Sequence, residues 1–356
     1  MIAVLLVGPL PPPMGGDTRH FATLVADLSA HQGFAVRVIN TSRGRRHSDW
    51  PRNMLLSIRT MAKIASQMRK VDIVSYHASD RGMLLFGPIV LLLCRMAGKP
   101  TILRVFGGSF GDSYGRQSRL RKWLTRRTVL TADVLLLQTK RSVRDMQLWS
   151  RARVIWFSTY VKSPARLAAA EATQQPETER GCRRFIFLGH LWRTKGIETL
   201  LESATRLPGD CTIDIYGPPD EYSADEINRR GEGRVKYRGF LNHGEVSERL
   251  WEYDCLVLPT FHSGEGYPGV IAEAYAHELP VIATNWMAIP EIVDDGCGIL
   301  IEPQDTTAFV DAVTTLYSDS GQWLRLKRGA REKAKQFDHA VWAQAFESIC
   351  ASLAGN

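Results

Sequence analysis

Short apolar runs alternate with amphipathic segments along most of the chain, and this alternation predicts parallel sheets covered by helices. The first set of predicted strands is Ile2–Val7, Ala35–Asn40, Asp72–Tyr76, Thr101–Val105 and Val134–Gln138. Helical periodicity lies between these strands, at His20–Ala30, Asn53–Met68 and Arg119–Leu130. The second set of predicted strands is Arg184–Gly189, Thr212–Tyr216, Val235–Tyr237, Cys255–Leu258 and Pro280–Ala283. The pattern therefore predicts an α/β protein.

The rhythm breaks between Val161 and Gly181, where the sequence is rich in Ala, Glu, Gln and Pro. This composition indicates an interdomain linker with a short helix. At 356 residues the chain is long for one domain, and two domains are expected. We therefore predict two doubly wound domains with a cleft between them.

Two apolar segments resemble membrane or targeting signals, but other features argue against both. The run Met83–Cys94 ends at Arg95, well short of the roughly 20 apolar residues that span a bilayer. It is predicted to be a buried helix covering the sheet. The start, Met1–Val7, lacks a charged leading region and is followed by Pro11, Pro12 and Pro13. It is predicted to be a buried first strand rather than a signal peptide.

Charge and cysteine content narrow the function further. The six cysteines are scattered without ligand spacing, which favours neither zinc nor disulfides but reduced thiols. The formal net charge is +8. Its basic clusters, Arg43–Arg46, Arg116–Arg127 and Arg141–Arg153, all lie in the first half. They fit either an anionic partner (lipid headgroups, a lipid diphosphate or nucleic acid) or a merely solvated surface.

The most informative segment is Gly264–Glu273, in which two glutamates bracket a loop of glycines and a proline. Pro268 suits the first position of a helix, and we expect that helix to run to His277. The backbone amides of Gly269 and Val270 would then form an anion site. A diphosphate flanked by two hydroxyl-bearing rings suits this layout.

The segment resembles the Glu-x7-Glu motif of retaining GT-B glycosyltransferases of family 4, and the resemblance extends over nearly the whole chain. It implies two Rossmann-like domains facing each other across a cleft. Residues 1–160 would bind the acceptor and 161–338 the nucleotide-sugar, and helix 339–356 would cross back to the first domain. It also implies that Glu265 contacts the donor sugar and Glu273 the ribose. The alternative is two surface glutamates at a helix start, favoured there by the helix dipole.

The segment Gly189–Gly196 resembles the family motif whose arginine and lysine hold the diphosphate. Lys195 matches the lysine, whereas His190 stands at the arginine position, so either His190 or Arg193 would contact phosphate. Lys195, Glu265 and Arg193 are the predicted catalytic residues. The residues expected to contact the donor are Gly15, Gly16, Gly189, His190, Arg193, Lys195, Gly239, Phe240, Gly264, Glu265, Gly266, Tyr267, Pro268, Gly269, Val270 and Glu273.

The acceptor side is less defined. Its candidates are His77, Arg104, Gly107 and Gly108, at the ends of two predicted strands. The histidine that many relatives carry after the strand at Thr101–Val105 is missing, and Asp112 is the only acid in that glycine loop. No general base is assigned. The resemblance implies front-face attack, in which the leaving phosphate takes the acceptor proton. Because no Asp-x-Asp motif is present, no metal or other cofactor is expected.

These features predict a retaining hexosyltransferase. The donor would be a nucleotide-sugar, with UDP or GDP as the expected nucleotide, and the acceptor a saccharide or lipid-linked saccharide of the kind used for bacterial surface polysaccharides. The alternatives are a sugar-nucleotide epimerase, a phosphorylase and, less favoured, a non-enzymatic nucleic-acid binder. We expect a cytoplasmic protein that does not bind nucleic acid. Contact of the basic segment Arg119–Arg127 with the inner face of the membrane is an open alternative.

Overall fold

A computed structural model describes residues 1–12, 15–42, 50–162, 164 and 181–355, without the side chains of residues 50–55 and 243. The basic cluster Arg43–Arg46 and most of the predicted linker lie outside the described residues. The chain divides into two compact units. The first is formed by Met1–Thr159 with Ala340–Asn356, and the second by Tyr160–His339.

The first unit is built on a six-stranded parallel sheet with the strand order β2-β1-β3-β4-β5-β6. Its strands are β1 (Ile2–Gly8), β2 (Phe34–Asn40), β3 (Ile73–Ser79), β4 (Thr101–Phe106), β5 (Val134–Leu137) and β6 (Arg153–Trp156). The central strands are buried on both faces because helices cover both sides, as their unbroken apolar sequences predict. The predicted α/β class is confirmed.

Helices follow most strands of the first unit. They are α1 (Gly16–Ala30), α2 (Trp50–Gln67), α3 (Asp80–Met96), α4 (Phe110–Gly115), α5 (Arg119–Arg127) and α6 (Lys140–Gln147), and 3₁₀ turns lie at Met68–Lys70 and Val129–Thr131. The predicted helix at Arg119–Leu130 was too long. It ends at Arg127, and the backbone at Thr128 (φ −123°, ψ −94°) leaves the helical region before the 3₁₀ turn begins.

The prediction that Met83–Cys94 is a buried helix was right about the helix but only half right about its burial. Met83, Val90, Leu91 and Cys94 pack into the core, whereas the opposite face of α3 is exposed. The all-apolar sequence concealed this difference, because periodicity in hydrophobicity cannot reveal which face is buried when both faces are apolar.

The second unit has another six-stranded parallel sheet, with the order β12-β11-β10-β7-β8-β9. Its strands are β7 (Arg184–Leu188), β8 (Thr212–Tyr216), β9 (Val235–Gly239), β10 (Cys255–Leu258), β11 (Val281–Thr284) and β12 (Gly298–Ile301). The chain runs outward from β7 in one direction and from β10 in the other. The pair β10–β7 is therefore the point at which the strand order reverses, where ligands bind in open α/β sheets.

The helices of the second unit cover both faces of its sheet. They are α7 (Ile197–Ser203), α8 (Ala224–Arg230), α9 (His243–Leu250), α10 (Gly269–Ala276), α11 (Thr306–Ser318) and α12 (Ser320–Ala334), and 3₁₀ turns lie at Arg193–Lys195, Ala204–Arg206, Ile289–Glu291 and Lys335–Phe337. The last helix, α13 (His339–Ala354), lies with the first unit from Ala340 onward. Its Trp342 ring packs 5.1 Å from the ring of Trp156.

All six cysteines are buried and unpaired. Burial raises the pKa of the Cys94 thiol to about 12, and it does the same for Cys350. Thiols of this kind are small apolar core groups.

Candidate functional site

A buried ion pair lies at the carboxyl ends of β7 and β10. Lys195 closes the 3₁₀ turn that follows β7, and Glu265 lies in the loop between β10 and α10. The Nζ atom of Lys195 is 2.7 Å from Oε2 and 3.0 Å from Oε1 of Glu265. The hydroxyl of Thr260 donates a third hydrogen bond to Oε2, at 2.8 Å. The sheet thus brings together two predicted site residues that are 70 positions apart.

The two loops that carry this pair are fastened to each other by backbone contacts. The amide of Phe261 donates to the carbonyl of Thr194 at 2.7 Å, and the amide of Glu265 donates to that of His262 at 3.1 Å. The indole of Trp286 also donates to the His262 carbonyl, at 2.9 Å. These hydrogen bonds fix the backbone of the two loops that carry Lys195 and Glu265. A fixed backbone keeps both charges in place, as electrostatic preorganisation requires.

Gly196 is needed directly after Lys195 for two physical reasons. Its φ is +83°, in the left-handed region that L side chains rarely adopt. A Cβ there would stand 2.1 Å from the carbonyl oxygen of Pro259, at the end of β10. The Lys-Gly pair of the motif therefore has a backbone cause: glycine lets the lysine turn lie against the neighbouring strand.

His262 lies beside the ion pair. Its Nδ1 is 3.2 Å from the hydroxyl of Thr194. Burial, reinforced by the nearby Lys195 cation, lowers the pKa of His262, although Glu265 partly opposes this. The imidazole of His262 is therefore neutral at neutral pH. Lys195 is then the positive charge closest to Glu265 in these two loops.

His190, at the position of the family's arginine, is held in one orientation. Its Nδ1 is 2.7 Å from Oδ2 of Asp220, and its ring stacks on Trp192 with 4.4 Å between centroids and 18° between planes. Arg193 instead is exposed, and its backbone amide donates to Glu221 at 2.6 Å. Of the two candidates for the missing arginine, His190 has the fixed side chain. Asp220 and Trp192 were not singled out from the sequence.

The Gly-rich loop precedes α10, and Glu273 is buried one turn into this helix. Pro268 is the N-cap residue (φ −59°, ψ 121°), not the first helical residue as predicted, because its ψ is extended. Tyr267 in this loop is buried, and its hydroxyl donates to Oε2 of Glu291. The carbonyl of Glu273 is 2.7 Å from Nδ1 of His277, which fixes the helix end.

The other predicted donor residues lie at strand ends or helix starts. Gly189 follows β7, and a Cβ at Gly217 would stand 1.7 Å from its carbonyl oxygen. Gly239 ends β9 with φ +98°, and Phe240 beyond it is exposed. Gly264, Gly266, Gly269 and Val270 belong to the loop and first turn of α10.

In the first unit, the glycine pair begins α1. Gly15 is the N-cap residue, and its amide donates to the Thr18 hydroxyl at 2.9 Å. Gly16 is the first residue of the helix. The reversal of strand order in this sheet falls between β1 and β3, so the loop after β1 lies at the reversal point of its own sheet.

The predicted acceptor residues His77 and Arg104 are brought together but buried. They face each other in register on β3 and β4. The His77 ring is fully buried, 2.8 Å through Nε2 from the Ser75 hydroxyl. The Arg104 guanidinium lies 4.6 Å from the ring centroid of Phe157 and 4.9 Å from that of Phe106. Neither side chain reaches the surface.

The glycine loop after β4 is also anchored from within the unit. The amide of Gly107 (φ +99°) donates to Oε1 of Gln138 at 2.9 Å, and the Gly108 carbonyl accepts from Ser142 at 3.3 Å. Asp112 is 3.4 Å from Arg141. In the described ranges, no group of three or more His, Cys, Asp or Glu side chains could hold a metal ion.

Comparison with known proteins identifies the second unit. Residues 182–319 match the family model for glycosyl transferases group 1. The second unit carries a group 1 glycosyl transferase domain. This domain contains Gly189, His190, Lys195, Glu265 and Glu273.

Two curated relatives are similar over part of the chain. The D-inositol 3-phosphate glycosyltransferase of Corynebacterium glutamicum (strain R) is 26% identical over 269 residues, covering 67% of this chain and 62% of the relative. The O-antigen chain mannosyltransferase B of Escherichia coli is 27% identical over 161 residues, covering 43% and 41%. The chain thus spans less than two thirds of the length of these relatives.

A solved structure matches almost the whole chain. Anabaena Alr3699/HepE in complex with UDP superposes with a TM-score of 0.74 at 17% identity, covering 99% of this chain and 100% of that one. The same protein in complex with UDP-glucose gives a TM-score of 0.71 at 17% identity and the same coverage. The chain has the GT-B fold, and the group 1 domain is one of its two sheet-bearing units.

Proposed function

We propose that the chain is a retaining glycosyltransferase that moves a hexosyl group from a nucleotide-sugar to a saccharide or lipid-linked saccharide. The match of residues 182–319 to group 1 glycosyl transferases supports the transferase activity. The name of one relative, O-antigen chain mannosyltransferase B, supports a glycan acceptor.

The observation that carries the proposal is the buried pair of Lys195 and Glu265 at the reversal point of the second sheet. When the glycosidic bond to the donor breaks, the departing nucleotide gains negative charge on its terminal phosphate. A lysine fixed in a buried site stabilises that charge more strongly than one in water. Glu265, held by Lys195 and Thr260, would accept a hydrogen bond from a hydroxyl of the donor sugar.

The donor nucleotide would lie along α10. The free amides of its first turn would face the diphosphate, and Glu273 would hold the ribose hydroxyls. We propose UDP or GDP as the nucleotide, and UDP has the support that HepE was solved with UDP and with UDP-glucose. His190 would take the role of the family's arginine through its Nε2, because Asp220 already engages Nδ1.

The retaining course is proposed without an enzymic nucleophile or a metal. In front-face attack the leaving phosphate takes the acceptor proton, so the chain need only hold the donor and its leaving charge. The first unit would receive the acceptor. We further propose that the protein works in the cytoplasm.

The alternative function is a sugar-nucleotide epimerase on the same fold. It would bind the same donors but would not need a second substrate. An acceptor-dependent product separates the two, because an epimerase converts the nucleotide-sugar without any acceptor.

The test is nucleotide binding followed by product analysis. UDP-glucose or GDP-mannose should raise the thermal midpoint of the wild type. Glu273→Ala should weaken nucleotide-sugar binding about tenfold, because a charged hydrogen bond is lost, and the rise in thermal midpoint should shrink accordingly. Glu265→Gln should lower turnover about 100-fold or more, whereas the exposed Glu248→Gln is the matched control.

Anomeric analysis of the product by NMR tests retention, and EDTA tests metal independence. Inversion at the anomeric carbon would contradict the retaining course. EDTA inactivation reversed by magnesium or manganese would contradict metal independence. Binding of none of the nucleotide-sugars by well-folded protein would remove the proposal itself.

A further inference from the structure

The outer face of α3 exposes a line of large apolar side chains. Leu85, Ile89, Leu92 and Met96 are spaced by four, three and four residues, so they lie on one side of the helix. Their exposed fractions are 61%, 46%, 55% and 78%. Single exposed apolar residues are ordinary on soluble proteins, but a contiguous row marks an interaction surface.

Helix α5 exposes its apolar residues to solvent, whereas a helix that covers a sheet normally buries them. Its one buried residue is the polar Thr125, whose hydroxyl donates to Gln117 at 3.1 Å. Its apolar residues point outward: Leu120 is 74% exposed and Trp123 is 56% exposed, and Leu124 is exposed as well. The apolar face of α5 is thus unused by the unit itself.

The two helices that carry these exposed residues are neighbours. Arg95, next to Leu92 and Met96 on α3, donates to the carbonyl of Arg127 at the end of α5, at 3.0 Å. It also donates to the carbonyl of Thr131, at 3.1 Å. We call the combined surface, formed by the exposed apolar residues of α3 and α5, the α3–α5 surface.

The charge along α5 and along most of α3 is positive. Helix α5 holds five cations in nine residues, at positions 119, 121, 122, 126 and 127. No acidic residue occurs between Arg81 and Lys99, or between Tyr114 and Thr131. Cations interleaved with Trp and Leu match an anionic lipid surface, where apolar side chains enter the headgroup layer and cations bind phosphates.

We propose that the α3–α5 surface docks the first unit onto an anionic lipid bilayer as a monotopic contact. None of the helices in the described ranges is both long and apolar enough to cross a membrane. In the proposed interfacial contact, α3 supplies the apolar insertion, and α5 supplies both Trp123 and the phosphate-binding cations. This inference does not rest on the proposed transferase activity, since docking needs neither donor nor acceptor.

The experiment is co-sedimentation of the full chain with vesicles of phosphatidylcholine alone and of phosphatidylcholine with 30% phosphatidylglycerol, at about 0.1 M salt. We expect binding only to the anionic vesicles. Ile89→Gln with Leu92→Gln should weaken it at least tenfold by removing inserted apolar area. Arg119→Gln with Arg121→Gln should weaken it about 25-fold, about fivefold per charge.

Two controls match these variants. Val341→Gln changes an equally exposed apolar residue on α13 of the same unit, and Arg229→Gln with Lys236→Gln removes two charges from the second unit. Both should bind like the wild type, and circular dichroism should show that every variant is folded.

Three results would overturn the proposal. The first is no binding to anionic vesicles. The second is binding that the Ile89 and Leu92 changes leave intact, which would indicate charge attraction without docking. The third is a wild-type dimer, dissolved by those same changes, that does not bind vesicles, because a second copy would then cover the surface.

Discussion

The Nζ atom of Lys195 lies 2.7 Å and 3.0 Å from the two carboxylate oxygens of Glu265. Both side chains are largely buried, at 15% and 8% exposed. Neutralising a carboxylate in this way makes its burial possible, since an unpaired charge there would lack hydration. Under the proposed function, a bound diphosphate would share Lys195 with Glu265.

We predict strong energetic coupling between these two residues. Lys195→Met and Glu265→Gln should each lower the free energy of unfolding by about 3 kcal/mol, because each leaves a buried polar partner behind. The double variant should lose clearly less than the sum. Urea unfolding of the four proteins measures the coupling.

The matched control for this cycle is the exposed pair Lys335 and Glu332, whose atoms are 2.6 Å apart. Lys335→Met and Glu332→Gln should show no measurable coupling, because water screens exposed pairs. Additive losses at Lys195 and Glu265 would mean that the buried pair is not a working interaction in solution.

Gly196 gives a second prediction. Gly196→Ala places a Cβ in the left-handed region and 2.1 Å from the Pro259 carbonyl, so the lysine turn must shift. We expect a loss of more than about 2 kcal/mol of stability together with weaker nucleotide binding. The control is Gly244→Ala in α9, where a Cβ meets nothing within 4 Å and alanine should be neutral or stabilising by up to about 1 kcal/mol. Equal effects of the two changes would contradict the backbone argument.

Much of the fold could be predicted from the sequence because the central strands are apolar on both faces. The predicted and observed bounds of β8 and β10 agree at both ends. The two strands that the sequence did not reveal, β6 and β12, are both edge strands. Edge strands are less buried, and none of the four residues of β6 is fully buried, whereas the central strands β4 and β10 are buried throughout.

The candidate site was predictable where it rests on local loop chemistry and unpredictable where it rests on distant partners. The loop containing Glu265 and the turn containing Lys195 both carry visible glycines. Asp220, which holds His190 from 30 positions away, has no local signal. The burial of His77 was also hidden, because Phe346 of the last helix, 6.1 Å from its ring, comes from the far end of the chain.

His190 leads to a third prediction, which rests on the proposed function. If Nε2 binds the diphosphate, His190→Ala should weaken UDP or GDP binding about tenfold. His190→Arg should restore binding, because guanidinium is charged and matches phosphate oxygens. Asp220→Ala should have a smaller effect of the same sign, since it frees the ring to rotate.

Calorimetric titration measures these affinities, with uridine or guanosine as the ligand control. A nucleoside lacks phosphates, so its binding should not depend on His190. A loss of equal size for nucleoside and nucleotide would assign His190 to the base or to folding instead of the diphosphate.

The buried His77 predicts how stability depends on pH. Burial, with the nearby Arg104 cation, holds the pKa of His77 well below its ordinary value of 6.5. The folded chain therefore leaves His77 neutral at pH values where the unfolded chain protonates it. Since the unfolded state then binds more protons, stability falls as pH drops below 6.5, by at most about 1.4 kcal/mol per pH unit for this group.

The measurement is urea unfolding at several pH values between 7 and 5, compared between the wild type and His77→Asn. The variant should be less stable at pH 7, because a cavity replaces the ring, but its stability should fall less steeply below pH 6.5 by about one bound proton. Val341→Gln, which changes an exposed residue without a titratable side chain, provides the control and should leave the wild-type slope unchanged. An unaltered slope in His77→Asn would mean that this ring takes up a proton as readily in the folded protein as in the unfolded chain. That result would contradict the burial of His77 beside Arg104.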